Sequence, residues 1–234
     1  MFEKYSAAQN FQGNMILTHG LNLNPEKLME LTKWFQSLGF DVYLLRYSGH
    51  QKGDRPEHFS MKASIESLKQ LVNSLNGNYY FCGFSLGCLI YALAVKENKI
   101  PEARKNLFLS PAFRPTLLIQ LSKYLPANFK IPSRIYKDYQ FHKGLPAFVY
   151  KDVFVHSDRL MELPFQNATL VFMDRGDLAL NVKDLVELTK NYQQQIYSFR
   201  KTPAPHHLMV DEHSVGEKNW ALFQQQIHQF MELS

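Results

Sequence analysis

Short β-forming runs alternate along this chain with stretches whose apolar residues recur every three or four positions. No other feature restricts the fold as much. The runs Asn14 to Thr18, Asp41 to Tyr47, Tyr79 to Phe84, Lys105 to Leu109, Ala168 to Met173 and Ile196 to Phe199 read as six strands. Between them lie helical stripes. Leu28, Leu31, Phe35 and Leu38 form one, behind Asn24-Pro25 and ahead of Gly39. Met61, Ile65, Leu68, Val72 and Leu75 form another, and Leu86 to Lys96 a third. A further helix is expected near Val182 to Tyr192. The last begins at Ser214, which has capping-box spacing to Glu217, and carries Trp220, Phe223, Ile227 and Phe230. Parallel neighbours need a crossover, and the helices supply it. The unbroken apolar runs Met15-Ile16-Leu17 and Leu170-Val171-Phe172-Met173 suit strands buried on both faces. The expected fold is therefore α/β, a mostly parallel, doubly wound sheet of about six strands.

The alternation breaks after the fourth strand. Residues 112–165 carry prolines at 115, 126, 132, 146 and 164 among many aromatic and basic residues. Leu117, Leu121 and Leu125 fall four apart and predict a short amphipathic helix. We expect one domain over residues 1–234, with 112–165 inserted as a small cap that emerges on the sheet edge where loops carry function.

Several function classes are excluded. No apolar run approaches the ~20 residues that span a bilayer. The opening Met-Phe-Glu-Lys-Tyr-Ser lacks the basic-then-apolar order of a signal peptide, so a cytoplasmic protein is expected. The two cysteines, Cys82 and Cys88, would lie on a strand and the helix after it; free buried thiols fit that placement and a reducing compartment. The net charge of +5 reads as a lysine-rich solvated face, and no basic run interleaved with aromatics points to nucleic acid. His206, His207 and His213 have no acidic or cysteine partner at ligand spacing, so no metal is expected.

The chemistry collects at strand ends. Gly83-Phe84-Ser85-Leu86-Gly87 joins the third strand to the third helix. In a G-x-S-x-G elbow the serine takes a strained backbone, and the glycines leave room for the tight turn. Ser85 is thus the candidate nucleophile, and the Leu86 amide one candidate oxyanion donor. After the first strand comes His19-Gly20-Leu21-Asn22, where Gly20 permits close approach, Leu21 offers the second donor and His19 shapes the loop. A serine needs a histidine to take its proton and a carboxylate to orient that histidine, in the chain order Ser, acid, His. Asp177 lies in the loop beyond the fifth strand and is preferred to Asp174, which ends the strand and supports the loop. In Pro205-His206-His207-Leu208-Met209, His207 is preferred to His206 because apolar residues follow and anchor it.

From His19-Gly20-Leu21 through Tyr47-Ser48-Gly49-His50 and the elbow to Asp177 and His207, the chain resembles the α/β-hydrolases grouped with bacterial carboxylesterases and monoacylglycerol lipases. It departs from them at Gln51, where a glycine is usual, at Cys88, likewise, and in lacking their leading antiparallel hairpin. The resemblance implies an α/β-hydrolase fold with a cap and hydrolysis of a carboxylic ester through an acyl-enzyme, without a cofactor. The expected partner is a small ester with an apolar acyl chain. The same triad would also serve a thioesterase, amidase or acyltransferase, and the fold alone a non-catalytic binding module. Lys123, Lys130, Arg134, Lys137 and Lys143 would give the cap a basic outer face with weak attraction for anionic lipid.

Overall fold

The structure is a computed structural model. It describes residues 1–21, 23, 25–50, 54–55, 58–116, 124–131, 145–177, 179–197 and 212–232, with the backbone alone at 130, 131, 213 and 214. Seven strands form one sheet in the order β1-β3-β2-β4-β5-β8-β9. They are β1 (Phe2–Tyr5), β2 (Gly13–Thr18), β3 (Phe40–Leu45), β4 (Tyr79–Phe84), β5 (Asn106–Leu109), β8 (Thr169–Asp174) and β9 (Gln193–Tyr197). All neighbours pair in parallel except β1 with β3. The helices are α1 (Met29–Ser37), α2 (Met61–Ser74), α3 (Leu86–Lys96), α4 (Ala147–Ser157), α5 (Val182–Leu188) and α6 (Glu217–Met231).

Successive strand residues serve opposite cores, as strand geometry requires. Ile16, Val171 and Met173 face one core with Leu68 and Leu71 of α2, Leu89 and Leu93 of α3, Val153 of α4 and Leu185 of α5. Met15, Leu17, Leu170 and Phe172 face the other, with Leu31 and Phe35 of α1 and Phe223 and Ile227 of α6. The sheet is therefore covered on both faces, and the apolar runs reflect it. In register, Thr18 lies beside Gly83, and Leu109 lies beside both Phe84 and Phe172. His19, Ser85, Ser110 and Arg175 consequently leave the sheet along one edge.

Three readings of the sequence change. The six expected strands are joined by β1, antiparallel on the outer edge of β3, where Lys4 Nζ pairs with Asp41 at 2.7 Å and Arg46 Nε with Glu3 at 2.9 Å. Phe2-Glu3-Lys4-Tyr5 is too short to show a period in the sequence alone. The last parallel strand starts at Gln193, not Ile196, because its ladder with β8 runs from Leu170–Gln193 to Asp174–Tyr197; pairing overrides the low β-propensity of three glutamines. The last helix starts at Glu217, not Ser214. Gly216 sits at φ +82 and separates it from a single turn at Glu212–Val215.

Between β5 and β8 lie the ribbon β6 (Lys130–Ile131) and β7 (Leu145–Pro146), followed by α4. The α4 side chain Asp152 accepts a hydrogen bond from Met61 N–H at the start of α2 (3.0 Å). Beyond α4, Arg159 NH2 pairs with Glu97 at 2.7 Å. Tyr124 and Phe129 are exposed, as is Val155 on α4. Leu117 and Leu121 of the predicted cap helix, with Lys123, Arg134, Lys137 and Lys143, lie outside the described residues, as does the Lys130 side chain.

Candidate active site

Ser85 follows β4 and precedes α3 with φ 51 and ψ −111, a region non-glycine residues rarely enter. Its surroundings hold it there. Ser85 N–H donates to Leu109 O of β5 (2.9 Å), and Ser85 O accepts from Cys88 N–H (3.2 Å) and Ala112 N–H (3.1 Å). The glycines are required by contact. A Cβ on Gly87 would lie 2.2 Å from Thr18 Oγ1 and 3.1 Å from His19 O; one on Gly83 would meet Cys88 N at 3.0 Å. Helix α3 thus sits directly on the end of β2, and its first amide, Leu86, has no intrahelical acceptor. Ser85 keeps 7% exposure amid this packing. Cys82 and Cys88 are free and buried as expected, and Cys88 Sγ donates to Gly83 O (3.0 Å).

The β2 end packs against the elbow from the other side. A Cβ on Gly20 would stand 2.8 Å from the Phe84 ring and 3.2 Å from Ser85 Cβ, so Gly20 packs closely against Ser85. His19 is fully buried. Its Nδ1 lies 2.8 Å from Gly20 O, and Tyr47 N–H donates to its Nε2 at 3.4 Å, which assigns the hydrogen to Nδ1. Burial, reinforced by the neighbouring His50, holds its pKa well below the ordinary value, so the ring is neutral near pH 7. His50, its ring 4.9 Å away, is lowered to about 4, chiefly by burial. Gly49 turns this loop at φ +78, where a Cβ would strike Phe59 N at 2.7 Å. Gln51 lies outside the described residues.

At the end of β8, Asp174 Oδ1 accepts from Gly176 N–H (2.9 Å), and Asp174 O from Asp177 N–H (3.2 Å). The buried Asp177 accepts from Ala179 N–H (2.8 Å) and Leu180 N–H (3.2 Å), both at Oδ1. These bonds hold Oδ1 of the carboxylate in place. A brace missed in the sequence secures the same loop. Thr116 N–H donates to Ala179 O (3.0 Å) and Asn181 N–H to Arg114 O (2.7 Å), around a bridge of Pro115 with Leu180. It joins segments far apart in the chain, and no local pattern announces it. Ser110 was missed too: buried at φ 44, it turns the chain so that Ala112 N–H reaches Ser85 O. A cavity of about 270 Å³ opens beside Asp177, lined by Thr116, Arg175, Leu180, Asn181 and Val182. His206 and His207 lie outside the described residues. Among the described residues no group of three or more His, Cys, Asp or Glu could hold a metal, and no helix is long and apolar enough to cross a membrane.

Known proteins agree with this architecture. No curated protein matches the chain by sequence. Among solved structures it is similar to the monoacylglycerol lipase of Paleococcus ferrophilus, at 18% identity and TM-score 0.75 over 100% of both chains. A soluble variant of monoglyceride lipase from Saccharomyces cerevisiae, at 10% identity, gives TM-score 0.75 over 98% of this chain and 90% of that one. A structure described with the metagenome-derived lipolytic enzymes LipS and LipT, at 14% identity, gives 0.72 over 98% and 97%. These likenesses establish the α/β-hydrolase fold. The family model described as "Serine aminopeptidase, S33" matches residues 9–170, which include the whole elbow. With more than half its length matched, the chain belongs to this hydrolase family.

Proposed function

We propose that the protein hydrolyses carboxylic esters through an acyl-enzyme on Ser85. The observation that carries this reading is the left-handed backbone of Ser85 at a strand-to-helix junction, with Gly20 pressed against it. Strain of this kind persists only where the surroundings over-determine it, and it presents the hydroxyl above the sheet. His207 takes the Ser85 proton as the oxygen attacks the ester carbonyl. The carbonyl oxygen becomes an oxyanion held by the Leu21 and Leu86 amides. Collapse expels the alcohol, protonated by His207. Water, deprotonated by His207, then attacks the acyl-enzyme and releases the acid. Asp177 orients His207 through its second carboxylate oxygen, since Oδ1 is held by Ala179 and Leu180. Asp174 fits less well, because it belongs to the strand and braces the turn through Gly176. No cofactor enters this scheme.

Ester rather than amide chemistry is supported by the lipolytic enzymes among the similar structures and by an insert rich in apolar residues. That insert, residues 112–165, would cap the site and line an acyl pocket, and its basic residues would attract anionic lipid weakly. Two buried free thiols fit a cytoplasmic setting.

The test is Ser85→Ala assayed on p-nitrophenyl esters of two to twelve carbons. Turnover should fall by about 10⁴–10⁶ with an unchanged circular dichroism spectrum. Near-normal activity in the variant rejects the proposal, and a wild type that cleaves only amides or thioesters reassigns the substrate.

A further inference from the structure

We infer that His19 is a positioning residue that aims the Leu21 N–H at the reacting carbonyl oxygen by holding the preceding peptide plane. The inference rests on the reading of Ser85 as the nucleophile.

The argument starts at the two ring nitrogens. Nε2 accepts from Tyr47 N–H, a backbone group just past the end of β3, at 3.4 Å. Nδ1 lies 2.8 Å from Gly20 O, a carbonyl that can only accept. One protonation state satisfies both contacts: neutral imidazole with its hydrogen on Nδ1. Protonating Nε2 would set two N–H groups against each other in a site without water access. Full burial between the rings of Tyr47, at 4.7 Å, and His50, at 4.9 Å, favours the same neutral form. With both nitrogens engaged, His19 cannot serve as the base.

The consequence lies one bond further. Gly20 C=O and Leu21 N–H belong to one peptide unit, which is trans, so the two groups point in opposite directions. The bond from His19 draws the carbonyl inward, together with a weaker one from Leu23 N–H at 3.3 Å. The Leu21 N–H is thereby turned away from the ring. Gly20 itself abuts Ser85, where an added Cβ would sit 3.2 Å from Ser85 Cβ. The next amide therefore runs beside the nucleophile. Glycine at 20 is needed for that approach, but it leaves the peptide plane free to rotate. The His19 hydrogen bond supplies the restraint that a side chain at 20 would otherwise give. A chain of bonds thus leads from β3 through His19 to the oxyanion donor.

The experiment compares His19→Asn with His19→Leu. Asparagine places an N–H near the position of Nδ1; leucine fills similar space with no donor. kcat and KM on p-nitrophenyl butyrate are measured with Ki for an aryl trifluoromethyl ketone, which forms an oxyanion on Ser85, and with melting temperature. For His19→Leu we expect kcat to fall about 10²-fold, KM to stay within about threefold and Ki to rise in parallel with the loss in kcat, because the lost interaction exists only with the oxyanion. His19→Asn should recover about tenfold of that loss. Should the leucine variant not fold, His19→Gln replaces it, since its amide extends toward Tyr47 and not Gly20. The inference is overturned if the folded leucine or glutamine variant keeps wild-type kcat, if KM alone rises, or if asparagine recovers nothing. A wild type with no ester turnover and no trifluoromethyl ketone binding instead overturns the proposed function, and this inference with it. A wild type that is active while His19 proves indifferent overturns this inference alone.

Discussion

The turn at Ser85 and the segment joining β5 to β8 lie at the same edge of the sheet, yet they are specified differently. At the elbow every constraint is short. Gly83, Ser85 and Gly87 meet neighbours that the parallel register of β2, β4 and β5 brings to fixed places, and exchanging one glycine methylene hydrogen for a methyl closes a gap to 2.2 Å. Between β5 and β8 the described contacts join segments far apart in the chain: Asp152 holds the start of α2, Arg159 pairs with Glu97, Thr116 N–H reaches Ala179 O, and Val149 and Val153 pack into the core beside α2 and α3. A motif survives in sequence when sterics alone dictate its residues. An insert held by scattered long-range contacts can keep its role with many sequences.

The difference can be broken first at the histidine. His207→Ala should lower kcat by about 10⁴–10⁶, while His206→Ala stays within about tenfold of wild type. The reverse pattern would shift the base by one residue. Next comes the acid. Asp177→Asn should cost about 10⁴ in kcat, because it disturbs the orientation of the base without removing the proton acceptor. Asp174→Asn should mainly lower the melting temperature, by loosening the Gly176 turn. Equal kinetic losses in the two variants would show that neither carboxylate is the specific partner.

Packing and ionisation effects are smaller. Gly87→Ala should destabilise the fold by about 1–3 kcal/mol, read from urea denaturation, since Thr18 and the backbone of His19 must both move. By contrast Val155→Ala, 61% exposed on α4, should change stability by less than about 0.5 kcal/mol. Similar losses at both positions would erase the distinction between elbow and insert. The buried histidines add a pH dependence. His50 has a folded pKa of about 4 against about 6.5 when unfolded, so between those values the unfolded chain binds the extra proton. Stability should therefore be full above pH ~6.5 and decline toward pH 4, with His50 contributing roughly 3 kcal/mol and His19 acting in the same direction. Melting temperatures at pH 7 and pH 5 should differ in the wild type and differ less in His50→Gln, where His19 alone remains; an unchanged difference would contradict a buried neutral His50.

The same contrast explains what could be read from the chain. The central strands and α3 were legible because their apolar runs face two cores, and Leu86 to Lys96 forms the helix at the predicted bounds. The Gly83 and Gly87 requirement was legible for steric reasons. Illegible were β1, whose four residues form only on the edge of β3, and the brace from Arg114 and Thr116 to the Asp177 loop, which exists only after β5 and β8 pair. The start of α6 was misplaced because the positive φ of Gly216 outweighs the Ser214–Glu217 spacing. The role of His19 in the loop was partly visible beside Gly20, but its tautomer depends on Tyr47, brought next to it by strand pairing.

One measurement reaches the central claim without knowing the substrate. Wild-type protein treated with a fluorophosphonate and examined by intact mass and peptide mapping should carry a single adduct, on Ser85. Ser85→Ala should carry none and should lose ester turnover with it. An unlabelled wild type, or an adduct elsewhere with turnover persisting in Ser85→Ala, would contradict the account.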